Sequence, residues 1–493
     1  MSSPRTTSES RPTTRPGFVR GPGGSVIQQS TAGWLTTGVD HPLPPVVHPD
    51  VARLVGDAAS ELRRLAGEGG TPFHVFFPGV MLATIDRFRR VMDDAGDPDG
   101  RIYFAVKATD ANSALAVAAA AGIGVDVSSV EELTAALGRG VPGSDISVSG
   151  PAKPLALLCL AVKQDALIQI DQPHEMKELR AVAARLGVRT RRTPRRAVRV
   201  SLRLHVAGSR FGMLLPEVRA VMEEISSLEP EVRLEGVAFH CPGYQSGDRV
   251  AMIGQACRVV AEAAGLSMAP RRISIGGGLA VQYADPDGWD VRRATEREFV
   301  GGRRARDVYP YAACPAGPGQ LEQILRNSRN ALDAASPSGV PVAVDVEPGR
   351  SMLDQAGLTV FRVLEVRPYE GRWVVIVDGN STYLTEAVSG EFLVDPVLIP
   401  DGPPAAEPFC AAIAAATCLE RDWLASRFVP FARRPEQGDL LVFYNTAGYL
   451  HSRAAQFHRV ESPRTVTAWR AEAGWRFKND GLVSVADVIG VSP

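Results

Sequence analysis

The regular alternation of buried-strand and helix patterns between Arg101 and Gly278 constrains the fold more than any other feature of the chain. It opens on RIYFAVKATD (101–110), where Ile102, Phe104 and Val106 alternate with Tyr103 and Ala105 in an almost wholly apolar run. A short run of that kind predicts a strand buried on both faces, as in a parallel sheet. An alanine-rich helix (Ser113 to Ala121), the strand GIGVDVSS, a helix from Val130 to Arg139, the strand ISVSG, a further helix and the strand ALIQID follow. The pattern continues with a helix from Pro173 to Leu186, the strand AVRVSLRL, a helix from Pro216 to Ser226, the strand GVAFH, a helix from Val250 to Ala264 and the strand RISIGGG. Repetition at that rate predicts an α/β fold, a parallel sheet closed into a (β/α)8 TIM-like barrel, with an open doubly wound sheet as the alternative.

The flanks differ in character. Residues 1–40 are rich in Ser, Thr, Pro, Gly and Arg without hydrophobic period, and are expected to form a tail that is disordered, or ordered only against a partner subunit. One amphipathic helix is expected from Val51 to Leu65, a strand from Thr71 to Phe77 and a helix from Met81 to Met92. After Gly278 the rhythm breaks, and 284–320 reads as an arginine-rich insertion, either a lid or a solvated spacer. The strand VPVAVDVEPGR then resumes the barrel, and LTVFRVLEVR, WVVIVDGN, EFLVDPVLI and DLLVFYN read as short strands. The expected division is a barrel over 80–356 and a β domain, barrel or sandwich, built from 41–79 and 357–493. A formal net charge of −1 offers no electrostatic ground for nucleic acid or an anionic membrane, and no apolar run reaches the length of a membrane span. The six scattered cysteines show no CxxC pair, so a reduced, cytoplasmic setting and no metal are expected.

Catalytic residues of barrels collect at the C-terminal strand ends. The polar residues there are Lys107, Asp126, Arg203, His240, Gly276, Gly277 and Gly278, then Glu347 with Arg350. Each has a bland reading: a snorkelling lysine, a loop carboxylate, a structural histidine, a glycine turn, a surface ion pair. Together at successive strand ends they suit pyridoxal 5′-phosphate. Lys107, its pKa expected to be lowered by near-dry surroundings, would hold the aldehyde as a Schiff base. The glycines would let backbone N–H groups approach a phosphate, with Arg350 as its ion partner. Glu347 suits the pyridine nitrogen, and His240 would stack on the ring.

The chain resembles the ornithine/diaminopimelate/arginine decarboxylase family, pyridoxal-phosphate enzymes of the alanine-racemase-like fold (fold type III). The resemblance is carried by YFAVKA, GVDVSS, SGPAK, SRFGM, GVAFH, IGGGL, EPGR, TC (Thr417, Cys418), GDLLVF and GYLHS, which run in family order. It implies a PLP-dependent amino-acid decarboxylase with Lys107 as the Schiff-base lysine, His240 stacking, and Glu347 at the pyridinium. Asp126 joins the cofactor-binding set, Arg350, the glycines and Tyr449 bind phosphate, and Arg203 lies near the ring oxygen. It also implies a homodimer in which Cys418 reaches in from the partner subunit and acts in protonation. The substrate end comprises Cys418, Leu419, Glu420 and Asp422; Cys418 matches the family and Asp422 keeps the spacing of another family acid, but Leu419 stands where the family places an acid, and Thr385 and Glu386 replace an expected arginine region. The loop CPGYQS after His240 puts Tyr244 where the family has a phosphate-binding serine. The expected reaction is removal of the α-carboxylate from an amino acid or a conjugate other than free ornithine, lysine or diaminopimelate. A racemase, or a PLP-binding protein without catalysis, is the alternative.

Overall fold

Eight parallel strands run in chain order through the first sheet of the computed structural model. They are Tyr103–Ala105, Gly124–Val127, Ile146–Val148, Leu167–Ile170, Val198–Arg203, Val232–Ala238, Arg272–Ser274 and Ala343–Asp345. A parallel bridge between Ile102 and Val346, with the Tyr103 N–H donating to the Val346 carbonyl at 2.8 Å, joins last strand to first. The barrel is therefore the observed architecture, and the open sheet is not. The structure describes residues 25–26, 42–187, 197–228, 231–286, 296–302, 311–335, 341–384, 394–402, 407–449, 457–459 and 461–490. The expected tail apart from 25–26, parts of the 284–320 insertion, and Thr385 and Glu386 lie outside the described residues.

Two expectations are corrected. The single helix from Val51 to Leu65 is two helices, Pro49–Gly56 and Ala59–Gly69. The first ends on Gly56, a residue that costs about 1 kcal/mol in a helix interior, and the chain turns through Asp57 and Ala58. Nor does the β/α rhythm lapse before the last barrel strand. An amphipathic helix, Gly317–Ala334, packs against Ser246–Ala264 and Pro78–Asp94, burying Leu321, Ile324, Leu325 and Leu332. Its opening Gly317-Pro318-Gly319 disguises it in sequence, yet proline is well suited to a first turn, where its missing N–H has no partner to lose.

The second, nine-stranded sheet draws on both sides of the barrel. The strand Phe73–Phe76 lies between Gly357–Tyr369, its antiparallel neighbour, and Arg464–Ala471, a parallel one. The strands Phe409–Ala415 and Trp423–Phe431 extend the same sheet and carry between them the turn that holds Cys418.

This C-terminal part of the chain grips the turn that carries Lys107. The Tyr449 N–H donates to the Ala108 carbonyl at 2.6 Å. The next helix, Asn112–Ala121, takes no cap from Ala111; buried Asp480 caps it instead. Its carboxylate accepts from the Asn112 N–H at 2.6 Å and the Ser113 N–H at 3.0 Å, and also from Ser113 Oγ. These N–H groups belong to the first turn, which the helix itself cannot satisfy. Asp480→Ala should therefore lower the unfolding free energy by about 1–2 kcal/mol. Urea denaturation should show a lower midpoint at an unchanged slope; an unchanged midpoint would mean the cap carries no weight.

Candidate active site

The barrel strands bring the polar residues to one end. Lys107 lies in a 3₁₀ turn (Val106–Ala108) just past the first barrel strand, which stops at Ala105. Asp126 is on the second strand, His240 follows Val232–Ala238, the glycines follow Arg272–Ser274, and Glu347 and Arg350 follow Ala343–Asp345. Lys107, Asp126, His240, Tyr244, Gly277, Gly278, Leu279, Glu347, Gly349, Arg350 and Tyr449 line one cavity of about 210 Å³.

Glu347 is fixed from below by the barrel itself. Gln169 Nε2 and Ser274 Oγ each donate to Oε1 at 2.6 Å, and Gln169 Nε2 also reaches Ser147 Oγ at 3.0 Å. Among the described residues Oε2 takes no bond. Asp126 accepts from Ser149 Oγ at 2.9 Å through Oδ2, while its buried Oδ1 has no hydrogen-bond partner among the described residues. Burial, then the charge of Glu347, push the Asp126 carboxyl up to about 7 against the opposing pull of Lys107.

Lys107 corrects the expectation of a lowered pKa. Desolvation does push it down, but Asp126, Tyr449 and Glu347 outweigh it, and the net shift is upward. The surroundings are not dry apolar walls but carboxylates, and these favour the ammonium. His240 moves the other way, down to about 3, through burial and the charges of Lys107, Arg203 and Arg249. Its imidazole is therefore neutral, and Nδ1 accepts from the Gly277 N–H at 3.3 Å, which leaves the ring proton on Nε2.

The glycines are demanded by what stands behind them. A Cβ on Gly276 (φ +67°) would meet His240 Nδ1 at 2.7 Å, one on Gly277 the Glu347 carbonyl at 2.5 Å, and one on Gly278 (φ +70°) the Arg249 guanidinium. Gly349 is equally confined, with Tyr449 Oη 2.6 Å from the position of a Cβ. Arg350 is buried, donates to the Gly448 carbonyl at 3.1 Å and lies 4.9 Å from the centre of the Tyr449 ring.

The other expected residues lie apart. Arg203 pairs with Asp171 at 3.3 Å and stacks over Phe211 at 4.7 Å, outside the cavity lining, though its charge is felt at Lys107 and His240. Cys418, Leu419 and Glu420 are exposed on the turn between Phe409–Ala415 and Trp423–Phe431. Asp422 is buried below them, accepting from the Ser381 N–H at 2.7 Å and from Thr417 Oγ1. Lys153 of SGPAK is buried in an ion pair with Glu175 at 3.0 Å. Sequence reading did not single out Gln169, Ser274 and Ser149, the side chains that hold the two carboxylates, or Ser147, which is bonded to Gln169. Gln169 left a trace, a polar residue inside the run ALIQID whose burial requires a partner.

An unsatisfied buried carboxylate oxygen, an amine beside it, a neutral imidazole and an arginine over a tight glycine turn fit a flat, charged aromatic phosphate. Residues 82–354 match the family described as pyridoxal-dependent decarboxylase, pyridoxal binding domain. The uncharacterized protein y4yA of Sinorhizobium fredii is 30% identical over 440 residues, spanning 86% of this chain and 93% of that one. The diaminopimelate decarboxylase of Actinosynnema pretiosum subsp. auranticum is 28% identical over 414 residues, 82% of this chain and 85% of its own. Among solved structures, the diaminopimelate decarboxylase of M. jannaschii in complex with L-lysine superposes with a TM-score of 0.67 at 19% identity, covering 88% of this chain and 94% of that one. The chain belongs to the pyridoxal-dependent decarboxylase family, as a divergent member of its ornithine/arginine/diaminopimelate branch, with the alanine-racemase-like fold. Its cofactor is pyridoxal 5′-phosphate, and its chemistry is that of a carboxy-lyase.

Attachment through Lys107, the expected Schiff-base lysine, would need its free amine, and a pKa raised above the ordinary 10.5 keeps it protonated at neutrality. The free-amine fraction grows about tenfold per pH unit below the pKa. Attachment to the apoprotein, followed as the visible band and trapped by borohydride on the Lys107 peptide, should accelerate from about pH 7 to about pH 9. Asp126→Asn removes a charge that raises the Lys107 pKa, so attachment near neutrality should be several times faster. A slower variant would show that Asp126 assists the step rather than restraining the amine.

Proposed function

We propose that the protein removes the α-carboxylate of an amino acid, or an amino-acid conjugate, whose distal end is uncharged, apolar or already derivatised. It acts as a homodimer in which Cys418 serves the partner's site. When bound, pyridoxal phosphate supplies an electron sink for the pair of electrons left as CO₂ departs. Lys107 would hold its aldehyde carbon, His240 would cover its ring face, and Arg350 with Tyr449 and the glycine turn would bind its phosphate. Glu347, with Oε1 committed to Gln169 and Ser274, has Oε2 with which to hold the proton of the ring nitrogen. Cys418 would return the proton to Cα. The single observation that carries the reading is the meeting of Lys107, Asp126, His240 and Glu347 in one cavity at the C-terminal end of the barrel.

Support for the substrate class comes from the Cys418 turn. The turn is anchored by Asp422, both of whose carboxylate oxygens are engaged within its own subunit, and by the Cys418 N–H donating to His458 Nε2 at 3.3 Å. Leu419, next to Cys418, is 46% exposed and presents an apolar side chain where an acid would meet a distal ammonium. A buried ammonium without a carboxylate costs several kcal/mol.

In competition at equal concentration, neutral-side-chain amino acids should release CO₂ with kcat/KM at least roughly a hundredfold above lysine, ornithine or diaminopimelate, as such a penalty requires. Leu419→Asp should narrow the gap. Efficient release from ornithine or lysine by the unaltered protein would refute this substrate class.

A further inference from the structure

The segment 296–302 lies within the stretch expected to be a lid or a solvated spacer, yet it is packed. Phe299 and Val300 are buried, and Phe299 forms an antiparallel bridge to Arg427 on the strand Trp423–Phe431. That strand is buried at all nine of its positions, so both of its faces must be covered. Neighbouring residues along a strand point to opposite faces, and here they sort into two apolar clusters. Val375, Ile413, Leu424 and Val429 join the cluster that includes Phe361 and Phe443. Val374, Ala412, Trp423 and Phe428 form a second, smaller cluster on the other face. Among the described residues, the one further buried member of that second cluster is Val300. The segment 296–302 therefore covers the face on which Trp423 lies.

Trp423 joins that cover to the turn that carries Cys418. Its ring meets Tyr369 edge-on, with centroids 5.6 Å apart. Its Nε1–H donates to the Glu420 carbonyl at 3.1 Å. A buried indole N–H requires such an acceptor, and Glu420 stands two residues from Cys418. At the same end of the turn the Asp422 N–H donates to the Leu419 carbonyl at 2.9 Å. The indole is thus held by its apolar body beneath the segment 296–302 and by its polar edge on the turn.

We propose that the segment 296–302 is a brace for the Cys418 turn and that Trp423 is the positioning residue through which it acts. Val300 keeps the indole against the sheet, and the indole N–H fixes the Glu420 carbonyl and with it the place of the thiol. The proposal rests on the reading that Cys418 serves the partner's site.

The test follows alkylation of Cys418 by iodoacetamide in the holoenzyme dimer, read on the Cys418 peptide by mass spectrometry, with glutathione as the unshielded reference. In the unaltered protein the partner's site should shield the thiol, which should react far more slowly than glutathione. Trp423→Phe keeps an aromatic ring in the cluster but deletes the N–H, and should speed alkylation roughly two- to tenfold, the scale of one lost hydrogen bond. Val300→Ala keeps the N–H, removes the support behind it, and should also speed the reaction. Val429→Ala deletes the same two methyl groups from the opposite face of the same strand, and should leave the rate unchanged. Full shielding in either Trp423→Phe or Val300→Ala, or an equal rise in Val429→Ala, overturns the proposal, because a residue that merely supports the sheet would not act from one face alone. If circular dichroism shows Trp423→Phe unfolded, Val300→Ala against Val429→Ala decides by the same outcomes. Reaction of the unaltered Cys418 as fast as glutathione overturns the reading of a shared site and the inference with it. Shielding that is present and that no variant disturbs overturns this inference alone.

Discussion

The site depends on one arrangement of charge: two carboxylates, Asp126 and Glu347, held by neutral donors rather than by cations, with the Lys107 ammonium between their fields. Serine and glutamine hydroxyl and amide groups fix the carboxylates' direction without neutralising them. Had arginines held them, the acids would be locked as anions and Lys107 would lose its counter-charges. As built, the carboxylates raise the lysine, and burial with the charge of Glu347 raises Asp126 to about 7.

The rest of the molecule serves to hold that arrangement still. The barrel interior beneath Glu347 is polar, with Ser147, Gln169, Ser274 and the Arg272–Asp345 pair replacing the usual aliphatic filling. On the other side, the C-terminal part of the chain reaches back. Tyr449, at φ +64°, holds the Ala108 carbonyl, and Asp480 caps the helix that follows Lys107. The left-handed turn at Tyr449 brings its phenol over Gly349 and Arg350. Barrel and second sheet are thus coupled through the turn that bears Lys107.

Most of the barrel was legible in sequence, because its strands are buried on both faces and its helices keep a 3.6-residue period. The last helix was not, since Gly317-Pro318-Gly319 carries the composition of a loop although it forms a first turn. Residue identities at the strand ends were equally legible; the fold brings Lys107, Asp126, His240, Gly277, Gly278, Glu347 and Arg350 to one cavity and leaves Arg203, paired with Asp171, outside its lining. Their electrostatics were not. A lysine ending an apolar strand suggested a dry pocket, but the strand stops at Ala105 and the turn tips Lys107 among acids from other strands. The reason for the triple glycine also differs: the sequence suggested room for a ligand, whereas the structure shows His240, the Glu347 carbonyl and Arg249 pressing from behind. Contacts between distant segments, such as Arg249 with Gly277, leave no local pattern to read.

Glu347→Gln tests the central claim most directly. Both existing bonds fall on Oε1, so a glutamine carbonyl keeps Gln169 and Ser274 while an amide N–H₂ replaces the acceptor Oε2. The variant should retain the cofactor and its visible band, yet CO₂ release in a single turnover should fall by roughly a hundredfold or more, the scale of a lost proton partner. Near-normal release with the cofactor bound would contradict the account, for it would mean that the carboxylate so carefully held takes no part in the chemistry.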